Sequence, residues 1–165
     1  MPEFITLADG SLAVKGRNLV RNTQTAELSG TNADHVESAL LPISLPAALQ
    51  GQKVTVSVQF DCDNAVAKTS GPHQRMGYEV CVLFEDGTYE YPRCWIEFNS
   101  TPRTVHDRLS RTFTISNKPI KEITSSRLYL QNFTADSAKV SKAKLEFGST
   151  ATAYSPAPED EEVTT

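Results

Sequence analysis

The sequence predicts an all-β fold, a β-sandwich or barrel. Three observations carry that reading. Apolar and polar residues alternate with the period of strands almost everywhere, turn-forming residues recur at intervals of roughly a dozen positions, and almost no segment has a helical period. At 165 residues the chain is one domain with short tails, large enough to bury a core without disulfide or metal staples.

The elements follow in order. Residues 1–15 read as an N-terminal leader. Ala33 to Leu40 reads as a strand, and Leu45 to Leu49 as a short turn of helix or an irregular crossing. Lys53 to Cys62 gives the clearest strand: Val54, Val56, Val58, Phe60 and Cys62 share one face, and Thr55, Ser57, Gln59 and Asp61 share the other. Asn64 to Gln74 has no strand pattern and contains Ser70, Gly71, Pro72 and His73, so it is expected to be a loop at one end of the sandwich. Met76 to Phe84 is a strand with Met76, Tyr78, Val80, Val82 and Phe84 in phase, and Glu85-Asp86-Gly87-Thr88 then reads as a hairpin turn. The return strand sets Cys94, Ile96 and Phe98 against Trp95 and Glu97. Leu109, Arg111, Phe113 and Ile115 form the next in-phase set, which stops at Asn117, Lys118 and Pro119. Leu128 and Leu130 alternate with Tyr129 and Gln131, and Val140, Ala143, Leu145 and Phe147 mark the last strand. Pro156 and Pro158 bar further sheet pairing, because proline has no N–H to donate.

Two stretches carry a resemblance. GRNLVRNTQT, Gly16 to Thr25, and KLEFGSTATAYSPAPED, Lys144 to Asp160, resemble the opening and closing segments of carbohydrate-binding-like jelly-roll modules of bacteriophage tail and baseplate proteins. Val20 stands where leucine is more usual, and Phe147 precedes the glycine where a polar residue is common. The resemblance implies a two-sheet antiparallel β-sandwich of jelly-roll type over residues 16–155, with an acidic, proline-containing linker or tail over 156–165. It also implies a place in the virion tail, after synthesis in the bacterial cytoplasm and with action at the host cell surface. The implied partners are host cell-wall polysaccharide and other tail or baseplate proteins, with homo-oligomers common among such proteins.

Composition narrows the function classes. The net charge is −4, and much of the acid lies in Glu159, Asp160, Glu161 and Glu162, so the body is nearly neutral and offers no basic field for nucleic acid. Mean hydropathy is −0.34, and no apolar run approaches bilayer length, so neither nucleic acid nor membrane is an expected partner. Arg103, Arg108 and Arg111 cluster, a pattern read as a solvated face. Cys62, Cys81 and Cys94 match no zinc spacing, and an odd number cannot all pair within one chain. They read as buried residues or free thiols, with one disulfide between neighbouring strands left open.

If each strand turns its apolar set inward, the opposite set collects Gln59, Asp61, Glu79, Trp95, Glu97, Tyr129 and Gln131. That set has the chemistry of a saccharide platform: flat aromatic faces for the C–H side of a pyranose, and amides and carboxylates for its hydroxyls. Trp95 is the only tryptophan and the leading candidate. A second reading makes it a plug within the sandwich, and a one-residue bulge would exchange the faces. Asp61, Asp63 and Asn64 offer hard oxygen ligands for a structural calcium ion, against the plainer reading of a polar strand end. No other cofactor is expected.

Catalysis is not expected. No Walker loop, dinucleotide fingerprint or HExxH occurs, and His35, His73 and His106 are scattered. Glu79 and Glu97 form the one acid pair on the predicted face. The expected function is therefore non-catalytic saccharide binding that aids adsorption to the host. A structural adaptor or spacer of the tail is the alternative, with a glycan hydrolase or lyase third.

Overall fold

A computed structural model describes residues 1–69 and 71–161. Its strands are β1 (Phe4–Thr6), β2 (Leu12–Val14), β3 (Glu27–Ser29), β4 (Asn32–Glu37), β5 (Lys53–Ala67), β6 (Arg75–Phe84), β7 (Tyr89–Glu90), β8 (Arg93–Glu97), β9 (Arg103–Thr114), β10 (Ile120–Thr134) and β11 (Ser137–Phe147). Among the described residues helix is confined to a 3-10 turn at Pro46–Leu49 and one α-turn, α1 (Pro158–Glu161). Among the described residues no helix is long and apolar enough to cross a membrane.

All pairings are antiparallel. The first sheet runs β3-β11-β5-β9. The second runs β4-β10-β6, with β7 and β8 both along the outer edge of β6. Facing each other, the orders β3-β11-β5-β9 and β4-β10-β6-β8 are those of a jelly roll: apart from the β6-β7-β8 turn, which stays within the second sheet, each strand from β3 to β11 is followed by one in the opposite sheet. The protein is thus all-β, as its alternation predicts, and of the sandwich and barrel that alternation left open it is the antiparallel sandwich.

β5 holds the two sheets together. Val54, Val56, Val58, Phe60 and Cys62 are fully buried, facing Met76, Tyr78, Val80, Val82 and Phe84 from β6, which are equally buried. Beyond Cys62 the register with β9 shifts, and Asn64 adopts a left-handed backbone, φ 52°, which asparagine tolerates better than most residues. The strand bends at this bulge, and Val66 and Ala67 then pair with Thr134 and Phe133 of β10 in the other sheet. The stretch expected to be a loop from Asn64 therefore begins as strand. The hairpin at Glu85–Thr88 is present: the Phe84 N–H donates to the Thr88 carbonyl, and Asp86 accepts from the Thr88 N–H at 3.0 Å.

Two expected boundaries differ from the structure. The leader over residues 1–15 is a β1/β2 hairpin whose Leu7 is buried, with Ile5 and Ala13 packed on the core. Nor does the chain leave the body at Pro156. Ala157 is fully buried, Glu159 pairs with Arg17, and Asp160 accepts from Arg21 at 3.4 Å and from the Asn22 N–H at 2.7 Å. The expected tail past Glu161 lies outside the described residues.

The reason is that residues 149–157 form a strap over the outer face of the first sheet. A bulge at Lys142, φ 53°, shifts the β11 register between Ser141 and Lys144 and turns Lys144 outward beneath the strap. Lys144 is 1% exposed and Glu146 0%. The ammonium donates to Thr152 Oγ1 at 2.7 Å and the Ala153 carbonyl at 2.8 Å, while Glu146 accepts from Thr152 Oγ1 at 2.7 Å. Burial pushes the Lys144 ammonium below the usual lysine range, and Glu146 partly restores it. Thr55 and Ser57, on the same outer face, are also 1% exposed: Thr55 donates to the Gly148 carbonyl at 2.8 Å, and Arg108 donates to Ser57 at 2.9 Å.

Asn18 fastens strap to sheet. Its amide N–H₂ donates to the carbonyls of Ala143 and Ser155, both at 3.0 Å, and its oxygen accepts from the N–H groups of Val20 and Leu145 at 2.9 and 3.2 Å. Asn18→Ala leaves those buried backbone groups without partners, at about 1–3 kcal/mol for each group left unsatisfied. The expected loss, allowing for relaxation, is on the order of 3–5 kcal/mol by urea denaturation, and Asn18→Asp should recover only part of it.

Candidate functional site

The outer face of the second sheet gathers five of the predicted residues. Register aligns Glu37, Tyr129, Gly77 and Trp95 in one row across β4, β10, β6 and β8, and His35, Gln131, Arg75 and Glu97 in the next. Glu79 lies in a third row, with Arg127 and Arg93. Gly77 is needed between the rings: a Cβ there would lie 2.1 Å from the Cys94 carbonyl oxygen. Across it Trp95 and Tyr129 stack with centroids 5.5 Å apart at 29°. The Arg75 guanidinium lies 3.8 Å over the Trp95 ring and donates to Gln131 at 2.9 Å, and Gln131 donates in turn to His35 Nδ1 at 3.0 Å. The indole N–H donates to Glu79 at 3.3 Å. Burial pushes the Tyr129 phenol up and the Arg75 guanidinium down.

Trp95 sits in the outward phase the sequence predicts, yet it is only 7% exposed. It is packed into this face by Arg75 and Tyr129, so a flat sugar cannot lie on its ring without displacing them. Glu79 and Glu97 do not oppose each other. Arg93 stands opposite Glu79 and Arg75 opposite Glu97, which sets the two carboxylates four residues apart along the strands, roughly 13 Å at the backbone. A glycosidase pair needs roughly 5–9.5 Å.

Gln59 and Asp61 lie elsewhere. Both are on β5, on the outer face of the first sheet, opposite Arg108 and His106, so the sandwich separates them from Trp95. Asp61 and Asp63 converge on His106, whose Nδ1 and Nε2 each lie 3.0 Å from a carboxylate oxygen. Asp63 also accepts from Ser137 at 2.8 Å, and Asn64 donates to Asp136 at 2.7 Å. Of the candidate calcium ligands, Asp61 and Asp63 are thus held on the His106 ring and Asn64 on Asp136. Cys62 and Cys94 are buried and all three thiols are free; burial pushes Cys94 up to about 11.

A large concavity lies beside Trp95, where the edge strands β8 and β9 part. β8 has five residues and β9 twelve, so the short strand leaves part of the inner face of β9 uncovered. The result is a cleft of about 490 Å³ with Trp95, Ile96, Leu109 and Phe113 as apolar wall and floor. Arg75 and Arg93 reach it from one sheet, Arg103 and Arg111 from the other, and Glu97 completes the rim. A second hollow of about 160 Å³ shares Arg93 and Phe113 and extends past Pro92 to Tyr91. Tyr91, 44% exposed, stacks in turn on Tyr89, 49% exposed, with ring centroids 6.2 Å apart at 14°.

None of these four arginines, nor either tyrosine, stood among the predicted site residues. The signal was present at Arg111, a charged residue in the apolar phase of its strand, and in the i, i+2 spacing of the tyrosines about Glu90.

No family model matches the sequence, and no curated protein matches it. A chain in the structure of the tripod (BppUct-A-L) from the baseplate of bacteriophage Tuc2009 shares its fold, with a TM-score of 0.53 at 20% identity. The alignment covers 98% of this chain and 66% of that one.

Two outcomes follow from the geometry. Trp95→Ala removes a packed ring and should cost about 3 kcal/mol of stability in chemical denaturation, whereas an exposed platform residue would cost almost nothing. His106, held by Asp63 and Asp61, has its pKa raised, so its pairing stabilises the fold fully below the ordinary value of about 6.5 and is lost as pH rises through the folded value. The unfolding midpoint should fall over that window, flatten in His106→Gln, and track the imidazole titration by NMR.

Proposed function

We propose that this chain is a non-catalytic module of a phage tail or baseplate that binds a host cell-surface saccharide along the groove between β8 and β9. The observation that carries the saccharide reading is the run of exposed, stacked Tyr89 and Tyr91 into a cleft with an apolar floor and a hydrogen-bonding rim. Ring faces suit the C–H side of a sugar, and guanidinium and carboxylate groups suit its hydroxyls. The groove volume is in the range of small-ligand sites. The phage setting is supported by the shared fold with a chain of the Tuc2009 baseplate tripod and by the resemblance of the opening and closing segments. One groove of this size holds few contacts, so repeated copies on a virion would raise avidity through effective concentration.

In this reading Trp95 is the rigid wall of the groove and not its platform. Tyr129, Gln131 and Glu79 hold that wall from behind, Glu97 is a rim contact, and Gln59 and Asp61 have no part. A second reading, an adaptor or spacer within the tail, is favoured by the tight packing of the Trp95 face and by the tripod assembly of the structural neighbour.

The two separate under one experiment. Cell-wall polysaccharides from candidate hosts are titrated against the chain, followed by Trp95 fluorescence and calorimetry. Saturable binding that weakens about fivefold or more in Tyr91→Ala, with an unchanged unfolding midpoint, is the expected result. No signal with any polysaccharide leaves the adaptor.

A further inference from the structure

We infer that the groove selects an anionic glycan, one carrying phosphodiester or carboxylate groups, through Arg93, Arg103 and Arg111. This rests on the saccharide reading for the sugar; the charge of the cleft carries the rest. Four guanidinium groups and one carboxylate line a single hollow. Among the described residues none of the four arginines is paired with a carboxylate of the protein.

An arginine at an open sheet edge can serve packing alone, its stem covering apolar surface while the head reaches water. That accounts for one such residue at Phe113 and Leu109. It does not account for four converging from both sheets, where each added positive charge repels the others. Three of the four are also set in position in advance. Arg103 donates to the Glu97 carbonyl at 2.9 Å, Arg93 to the Tyr91 carbonyl at 3.1 Å, and Arg75 is stacked on Trp95. A guanidinium has five N–H donors, so each keeps others for a ligand, in the forked geometry that suits phosphate and carboxylate oxygens.

Nucleic acid is the weaker match to the same charge. Its backbone is met by basic stripes on proteins with a positive field, whereas this chain carries −4 overall and its arginines surround an apolar floor beside two exposed tyrosines.

The test uses the whole chain and calorimetry with poly(glycerol phosphate) teichoic acid, polygalacturonate, methyl-esterified polygalacturonate and a short DNA duplex, each at low and high salt. The expected result is binding to teichoic acid or polygalacturonate that weakens with salt. It should fall at least about tenfold in Arg111→Ala and in Arg93→Ala, and stay unchanged in Lys121→Ala, an exposed position on β10. The esterified polymer should not bind. The teichoic acid and polygalacturonate arms separate phosphodiester from carboxylate recognition. Binding to the esterified polymer that ignores both arginine variants overturns the anionic inference and leaves the saccharide reading standing. DNA binding as tight as glycan binding and lost in Arg111→Ala also overturns it. No binding to any of these polymers, together with silence across the host polysaccharides, overturns both.

Discussion

The architecture depends on a buried polar clasp at the back of the first sheet. Lys144 and Glu146 are ionisable side chains that β11 turns away from the core, and without a cover they would be ordinary solvated residues. The strap over residues 149–157 takes them out of water and supplies their partners in Thr152 and Ala153. A charge pair removed from water this completely is tolerated only where hydrogen bonds replace hydration. Asn18 repeats the arrangement at backbone level, joining the segment before β3 to β11 and to the strap. The segments that open and close the domain are therefore one structural unit.

That unit marks where sequence reasoning succeeded and where it stopped. The alternation in β5 and β6 was legible because one face of each strand is continuous core. The hairpin at Gly87 was legible because its turn chemistry is local. The outer faces were not, since alternation shows that a residue points away from the core but not which sheet it belongs to or what covers it. Gln59 and Trp95 share a phase and lie on opposite sides of the sandwich. Thr55 and Ser57 look solvated, yet Thr55 donates to Gly148, 93 positions away, and Ser57 accepts from Arg108, 51 positions away. The bend of β5 at Asn64 was hidden for the same reason, because a bulge that passes a strand between sheets is set by tertiary pairing.

Trp95 shows how phase and exposure separate. Its outward phase is as predicted, yet the row it occupies also holds Tyr129 and Gly77, and the vacancy at glycine lets the two rings close over the sheet. The neighbouring cleft arises from a mismatch in length rather than from any motif. A short β8 facing a long β9 leaves inner-phase side chains partly open, so arginine can stand at a core position of Arg111's strand without burying its charge. An edge defect of this kind makes a concavity without lengthening a loop, which keeps its walls on paired strands.

The joined ends bear on how the domain would carry load. Arg17 and Arg21 hold Glu159 and Asp160, and Asn18 holds Ser155, so tension applied through these two segments would meet these contacts before it reached the ladders of either main sheet. Tension would pass through the clasp across a short span at one corner. The groove between β8 and β9, formed by strands outside that path, would keep its shape while the module was under strain.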